Sequence, residues 1–268
     1  MANLSATFRV LHDNTTPLRL PNAWDAGSAR LFESLGATAI GTTSAGMAWS
    51  LGYPDGRQLP ANEAIGAAAR IIRILKVPLS VDVEHGFSDD PGVVAAHIKP
   101  LMDMGVAGIN IEDGHDSPSL LAAKIEAIKT AAAHAGQDIF VNARTDVLFA
   151  HLTAESMQVE EVVTRGSLYA SAGADGLFVP GLCEPEHIKS IANDVELPLN
   201  VLVWKGLVPA FELGQCGVRR LSLGSSVSQG LWSKAASLVE AFLDAGRSEP
   251  LGDGAMPRPR LQGLFSAD

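Results

Sequence analysis

Asp82, Glu84 and Glu112 are the residues whose types and spacing most directly suggest chemistry. Asp82 and Glu84 close an apolar run and stand two apart, so an extended backbone would set both carboxylates on one face. Glu112 closes the next apolar run. Carboxylates gathered at one edge repel one another strongly unless a cation lies between them. Oxygen donors without a His or Cys cluster suit Mg2+ or Mn2+ better than Zn2+. The plainer alternative for any one of them is a helix N-cap or an ion pair with Arg144.

Arg144 ends another apolar run, where a guanidinium either grips a carboxylate or phosphonate through two parallel hydrogen bonds or pairs with an acid. The small-residue stretch 42–46, with Thr43, Ser44 and Ala45 at its centre, offers backbone N–H groups and hydroxyls to an anion. Such stretches are also ordinary turns. Asp55 lies in Leu51-Gly52-Tyr53-Pro54-Asp55-Gly56, a sequence that turn chemistry alone accounts for. His85 and His115 each follow an apolar run on a polar loop, a place for a proton donor or for a solvated imidazole. Cys183 and Cys216 sit in apolar contexts that suit packing.

These groups need a scaffold that brings the ends of the runs together. An apolar run followed by a helical pattern recurs along the chain, with runs at 18–21, 38–41, 78–83, 107–111, 139–143, 176–179, 199–203 and 219–223. Ala- and Leu-rich stretches at 62–75, 93–104, 120–133 and 155–172 lie between them, and Gly36, Gly105, Gly173 and Gly217 mark helix ends. This alternation predicts right-handed βαβ units and a parallel sheet. Eight units in roughly 225 residues fit a closed α/β barrel of the (β/α)8 TIM type, which takes about 250 residues. An open doubly wound sheet is the rival, but the first run ends in Pro21-Asn22-Ala23-Trp24-Asp25, with neither G-x-G-x-x-G nor a Walker loop. Chemistry in a barrel gathers at the carboxyl ends of strands, which is where the acids and Arg144 fall. The expected organisation is one catalytic domain over 1–246, including a last helix at 226–245, and a tail over 247–268.

The chain is 47% hydrophobic with a formal net charge of −10. Charged residues interrupt the apolar runs before any could span a bilayer, and the N-terminus has no basic start followed by an apolar stretch. There is no Lys/Arg run to grip a phosphate backbone, and two cysteines are too few for a disulfide framework. The expectation is a cytoplasmic protein that binds a small carboxylate and neither nucleic acid nor membrane.

In their order, several pieces together resemble the isocitrate lyase/phosphoenolpyruvate mutase superfamily. They are Pro21-Asn22-Ala23-Trp24-Asp25 with Ser28-Ala29-Arg30, Thr43-Ser44-Ala45, and Ser50-Leu51-Gly52-Tyr53-Pro54-Asp55. Val81-Asp82-Val83-Glu84-His85-Gly86, Gly105-Val106-Ala107-Gly108 leading to Ile111-Glu112-Asp113, and Ala143-Arg144-Thr145-Asp146 follow. The resemblance implies a Mg2+-dependent barrel acting on C–C or P–C bonds next to a 2-oxo or 2-hydroxy carboxylate. It makes Asp82 the principal metal carboxylate, with Glu84 and Glu112 holding metal-bound waters. Arg144, Thr43, Ser44 and Ala45 would bind substrate oxygens, Trp24 and Asn200 would line the pocket, and Asp55 would support or gate it. It also implies exchange of the last helix between subunits, hence a homodimer or homotetramer.

The departures narrow the reaction. Isocitrate lyases of this superfamily carry a Lys-[Lys/Arg]-Cys-Gly-His loop after the fourth strand, where this chain reads Glu112-Asp113-Gly114-His115-Asp116-Ser117-Pro118. The mutases have a longer gating loop with a Lys, and a His where this chain has Pro180-Gly181. The leading expectation is therefore a lyase that decarboxylates or cleaves a small 2-oxo or 2-hydroxy acid through a pyruvate enolate, with Arg144, Asp55 and His115 as candidate catalytic groups. A phosphoenolpyruvate phosphonomutase or phosphonopyruvate hydrolase is the second reading, and a non-catalytic carboxylate-binding barrel the third.

Overall fold

The computed structural model describes residues 4–266. Its strands are β1 (Leu18–Leu20), β2 (Asn22–Ala23), β3 (Ile40–Thr42), β4 (Leu79–Asp82), β5 (Gly108–Glu112), β6 (Phe140–Arg144), β7 (Gly176–Val179), β8 (Leu199–Leu202) and β9 (Val218–Ser222). All pairs are parallel, neighbours run in chain order from β2 to β9, and β9 pairs with β1. This is the expected TIM-type barrel.

The eight runs become nine strands because Pro21 interrupts the first one. Proline has no N–H for the ladder. Its carbonyl still accepts from Gly41 N at 2.9 Å, so the chain leans on β9 before the break and on β3 after it. Asn22 seals the seam. Its Nδ2 donates to the Thr42 carbonyl at 2.8 Å, and its Oδ1 accepts from Leu223 N and Gly224 N at 2.9 and 3.0 Å.

The helices around the barrel are α1 (Leu4–Val10), α2 (Ala26–Ser34), α3 (Ser44–Ser50), α4 (Ala61–Ile72), α5 (Pro91–Asp103), α6 (Pro118–His134), α7 (Gln158–Ser171), α8 (Pro185–Asp194), α9 (Ala210–Gln215), α10 (Ser226–Ala245), α11 (Glu249–Gly252) and α12 (Arg258–Gly263). Their starts are written locally: Asp90 accepts from Gly92 N and Val93 N ahead of α5, Ser117 accepts from Leu120 N ahead of α6, and each helix begins with proline. One stripe then faces the strands, Val94, Ile98 and Leu101 in α5 and Leu121, Ile125 and Ile128 in α6. Each such side chain contributes about 2 kcal/mol of burial.

The inside of the barrel is layered. At its amino end α1, which the periodicity did not announce, inserts Phe8 edge-on to Phe140 at 5.4 Å between ring centroids. Arg9 anchors this helix through ion pairs to Asp138 and Asp175 at 2.7 and 2.6 Å. Nearer the mouth the interior turns polar, with Asn110, Asn142, Asn200, Arg220 and Ser222 all buried.

The tail is more structured than its composition suggests. It carries α11 and α12, and Arg30 Nε donates to the Leu264 carbonyl at 2.7 Å, bringing it back to α2. α10 spans 20 residues yet buries only Ser228. Among the described residues, no helix is long and apolar enough to cross a membrane.

Candidate active site

Asp82 is the last residue of β4 and the hub of the mouth. Its Oδ2 accepts from Ser44 Oγ at 3.0 Å and Ser44 N at 3.3 Å, and its Oδ1 accepts from Glu84 N at 3.3 Å. Its own N–H donates to Thr42 Oγ1 at 2.8 Å. The strand stops there, so Glu84 does not share an extended face with it. Glu84 instead takes a left-handed conformation (φ 50°), which is costly for a residue with a Cβ. The turn brings Glu84 Oε2 under the 51–60 loop, where it accepts from Arg57 N at 2.8 Å, while Oε1 is buried with no partner among the described residues. Burial, and then the negative charge of Asp82, push the Glu84 carboxyl up to about 7. Arg57 also pairs with Asp116 at 2.7 Å, tying that loop to the short one at 113–117.

Glu112 ends β5 beside Arg144 at the end of β6, with Oε2 2.8 Å from Nη1. Burial raises the Glu112 pKa against the pull of this guanidinium. Arg144 also donates from Nε and Nη2 to the Asp146 carboxylate at 2.7 and 3.1 Å. These pairs occupy three of its five N–H donors and leave two free. The guanidinium carbon lies 5.5 and 5.8 Å from the ring centroids of Phe149 and Phe178, so aromatic faces steady it.

A cavity of about 390 Å³ opens at this end of the barrel. Asp55, Asp82 and Arg144 are the charged groups of its wall, alongside Thr43, Ser44, Ala45, Asn22, Asn110 and Ser222. Trp49, Phe149, Phe178, Leu202 and Trp204 supply apolar surface. The stretch expected as an anion loop is in fact the start of α3, with Thr43 as N-cap accepting from Gly46 N and Ser44 and Ala45 in the first turn. Desolvation raises the pKa of Asp55, and the charge of Asp82 adds to it.

Other expected positions fall elsewhere. Glu84 and Glu112 stand behind the wall rather than in it. Trp24 packs against Phe32 at 6.1 Å, just ahead of α2, and does not line the cavity. Asn200 is fully buried in the barrel interior, donating to Ser222 Oγ at 3.0 Å, one layer removed from the wall. His115 is exposed on its loop, away from the cavity. Burial and the nearby Arg57 and Lys124 hold His85 down at about 4, so it is neutral near pH 7. The reading of the sequence missed Asn110, which lies two before Glu112 and so shares its inward face of β5. It also missed Trp49, on the short helix α3, and Phe149 and Trp204, which sit on connections with no periodic signal.

Among the described residues no group of three or more His, Cys, Asp or Glu side chains converges tightly enough to enclose an ion. The donor chemistry nevertheless fits a hard cation. The carboxylates of Asp82, Glu84 and Glu112 supply oxygen donors, and Glu84 Oε1 is a buried carboxylate oxygen with no partner among the described residues. Mg2+ keeps several waters and needs only one or two carboxylates, so it does not require a closed cage.

Asp82, Glu112 and the half-buried Arg144 stand at the carboxyl ends of β4, β5 and β6, where a barrel of this type carries its active site. The phosphoenolpyruvate phosphomutase family profile matches residues 8–243, and the chain belongs to that family, within the isocitrate lyase/phosphoenolpyruvate mutase superfamily. The chain is 29% identical over 234 residues to an oxaloacetate decarboxylase of Pseudomonas fluorescens, covering 82% of this chain and 78% of the relative. A crystal structure from Burkholderia cenocepacia, assigned as a phosphonomutase, superposes with a TM-score of 0.84 at 38% identity, covering 89% of this chain and 99% of that one. 2,3-Dimethylmalate lyase superposes with a TM-score of 0.86 at 26% identity, covering 98% and 95%.

Proposed function

We propose that this protein is a Mg2+-dependent carbon–carbon lyase that decarboxylates or cleaves a small 2-oxo or 2-hydroxy acid through a pyruvate enolate. The observation that carries the reading is the juxtaposition of Asp82 with Arg144 on one cavity wall, with Glu84 Oε1, which has no partner among the described residues, behind it. Asp82 would hold the ion directly, with Glu84 and Glu112 acting through water. When bound, the ion would supply Lewis-acid polarisation of the substrate's C1 and C2 oxygens.

The chain's own groups do the rest. In a 3-carboxy-2-oxo acid the C3–C4 bond breaks, its electron pair moves into the C2–C3 bond, and negative charge collects on the C2 oxygen as CO2 leaves. The two free N–H groups of Arg144 are the cationic donors available to that charge. Such a step needs no strong base, and among the described residues no Cys, Lys or His lines the wall. Asp55, whose carboxyl burial favours in its protonated form, is the wall's candidate for returning a proton to C3. The similarity to an oxaloacetate decarboxylase and to 2,3-dimethylmalate lyase supports C–C chemistry. Against P–C chemistry stand Arg144, the wall's one cation among the described residues, and Pro180 within that wall.

The test is a panel of 2-oxo and 2-hydroxy diacids plus phosphonopyruvate, assayed with and without Mg2+. Carbon dioxide or a carbonyl product together with pyruvate, only when Mg2+ is present, is the expected result. Phosphate release or phosphoenolpyruvate formation would replace it with the P–C reading, and binding without turnover with the non-catalytic one.

A further inference from the structure

A second arginine lies deeper in the barrel than Arg144. Arg220, on β9, is 0% exposed and sits between the amino-end plug and the cavity wall, its guanidinium carbon 5.9 Å from the Phe8 ring centroid. No carboxylate pairs with it among the described residues. Nε donates to Ser222 Oγ at 3.3 Å, Nη2 donates to Asn110 Oδ1 at 3.2 Å, and Nη1 has no partner.

A guanidinium can only donate, so the amide it touches must present its oxygen. Asn142 Nδ2 donates to the same Asn110 Oδ1 at 2.9 Å, and its orientation is fixed in turn by a 3.0 Å bond to Asn200 Oδ1. Both acceptor sites of the Asn110 oxygen are thereby filled from within the barrel. Its amide nitrogen is left on the other side, in the cavity wall shared with Asp82 and Arg144, with no protein acceptor among the described residues. Burying a cation without a counter-charge is expensive. Here that cost maintains a donor, polarised by positive charge behind it, where an anionic ligand would bind.

We propose that Asn110 is a substrate-binding residue whose side-chain N–H groups donate to an anionic oxygen of the bound 2-oxo acid, and that Arg220 is the positioning residue that fixes this donor orientation. The inference rests on the 2-oxo acid reading of the cavity.

Calorimetric titration of oxalate, a flat dianionic mimic of a 2-oxo acid enolate, in the presence of Mg2+ tests both roles. Asn110→Asp keeps an acceptor for Arg220 and Asn142, so its melting temperature should not fall, but it has no N–H to offer. Its oxalate affinity should drop about 100-fold or more. Arg220→Gln can donate or accept, so it removes the obligate donor among the two that hold the Asn110 oxygen inward, for an expected loss of about tenfold, whereas donor-only Arg220→Lys should stay within about threefold of the unmodified protein. Asn110→Asp binding oxalate as tightly as the unmodified protein would overturn the binding role. Equal losses in Arg220→Gln and Arg220→Lys would overturn the positioning role. If the unmodified protein does not bind oxalate with Mg2+, the inference and the function it rests on fall together.

Discussion

Charged side chains held short of partners set the behaviour of this protein residue by residue. Asp82 is bound by Ser44 and by the Glu84 amide, so its removal has a structural cost as well as a functional one. Asp82→Asn keeps only one acceptor oxygen for the Ser44 and Glu84 donors, so it should cost about 1–2 kcal/mol of folding stability while weakening Mg2+ binding about 100-fold or more; denaturant unfolding and metal titration read the two effects separately. His12 offers a cleaner test, away from the mouth. It stacks on Phe140 at 4.4 Å, and burial, with Arg220 nearby, lowers its pKa from 6.5 to about 3. The unfolded chain therefore binds the proton first. Stability from this group is complete above pH 6.5 and is lost as pH falls toward 3, by about 2 kcal/mol at pH 5. His12→Phe should flatten the stability profile between pH 6.5 and 4, and an unchanged slope would contradict the assignment. The acids and Arg144 were legible in the sequence because they end apolar runs. The shared face of Asp82 and Glu84 was not, because the backbone turns left-handed at Glu84. Asn110 and Arg220 were hidden for a different reason: inward strand residues matter here, while attention to run ends passes over them.

Elements place these residues with little help from tertiary context. The runs were visible as alternations of apolar strand and Gly-ended helix, and the observed strands begin and end within two residues of them. What periodicity could not show was short structure: α1, α3 and the split between β1 and β2 each involve seven residues or fewer. α1 nonetheless closes one end of the barrel. Phe8→Ala should cost about 3–5 kcal/mol, because the aromatic ring fills space that Phe140, His12 and Arg220 cannot collapse into. Chemical denaturation measures this, and a loss below about 1 kcal/mol would mean that the plug is dispensable. The Arg57–Asp116 pair works between elements. Both partners are partly exposed, so the pair adds little to global stability. Its loss should instead appear as faster proteolysis within 51–60 and 113–117, and Arg57→Ala combined with Asp116→Asn should be no more sensitive than either alone.

At the scale of the whole molecule, α10 is the unbalanced part. Leu231, Trp232, Val239, Phe242 and Leu243 are all more than half exposed on a helix that buries one serine. Isolated helices of this length are marginal without an apolar face to dock. We propose that this face packs on a second copy of the chain, giving the homodimer or homotetramer that the superfamily resemblance implies. Light scattering of a Leu231→Lys, Phe242→Lys double variant should then show a monomer or soluble aggregate in place of a defined oligomer. Truncation after Gly224 should abolish soluble protein, and a soluble, oligomeric product would contradict the packing. The seam at Pro21 carries a further consequence, for synthesis. Because Leu20 pairs with Ser222, the first strand waits for almost the entire barrel before its ladder can form. At about 5–20 residues per second, a ribosome takes roughly 10–40 s to supply that partner. Throughout that interval the nascent chain has an open sheet edge and an incompletely covered apolar surface, the condition in which a chain is most exposed to aggregation.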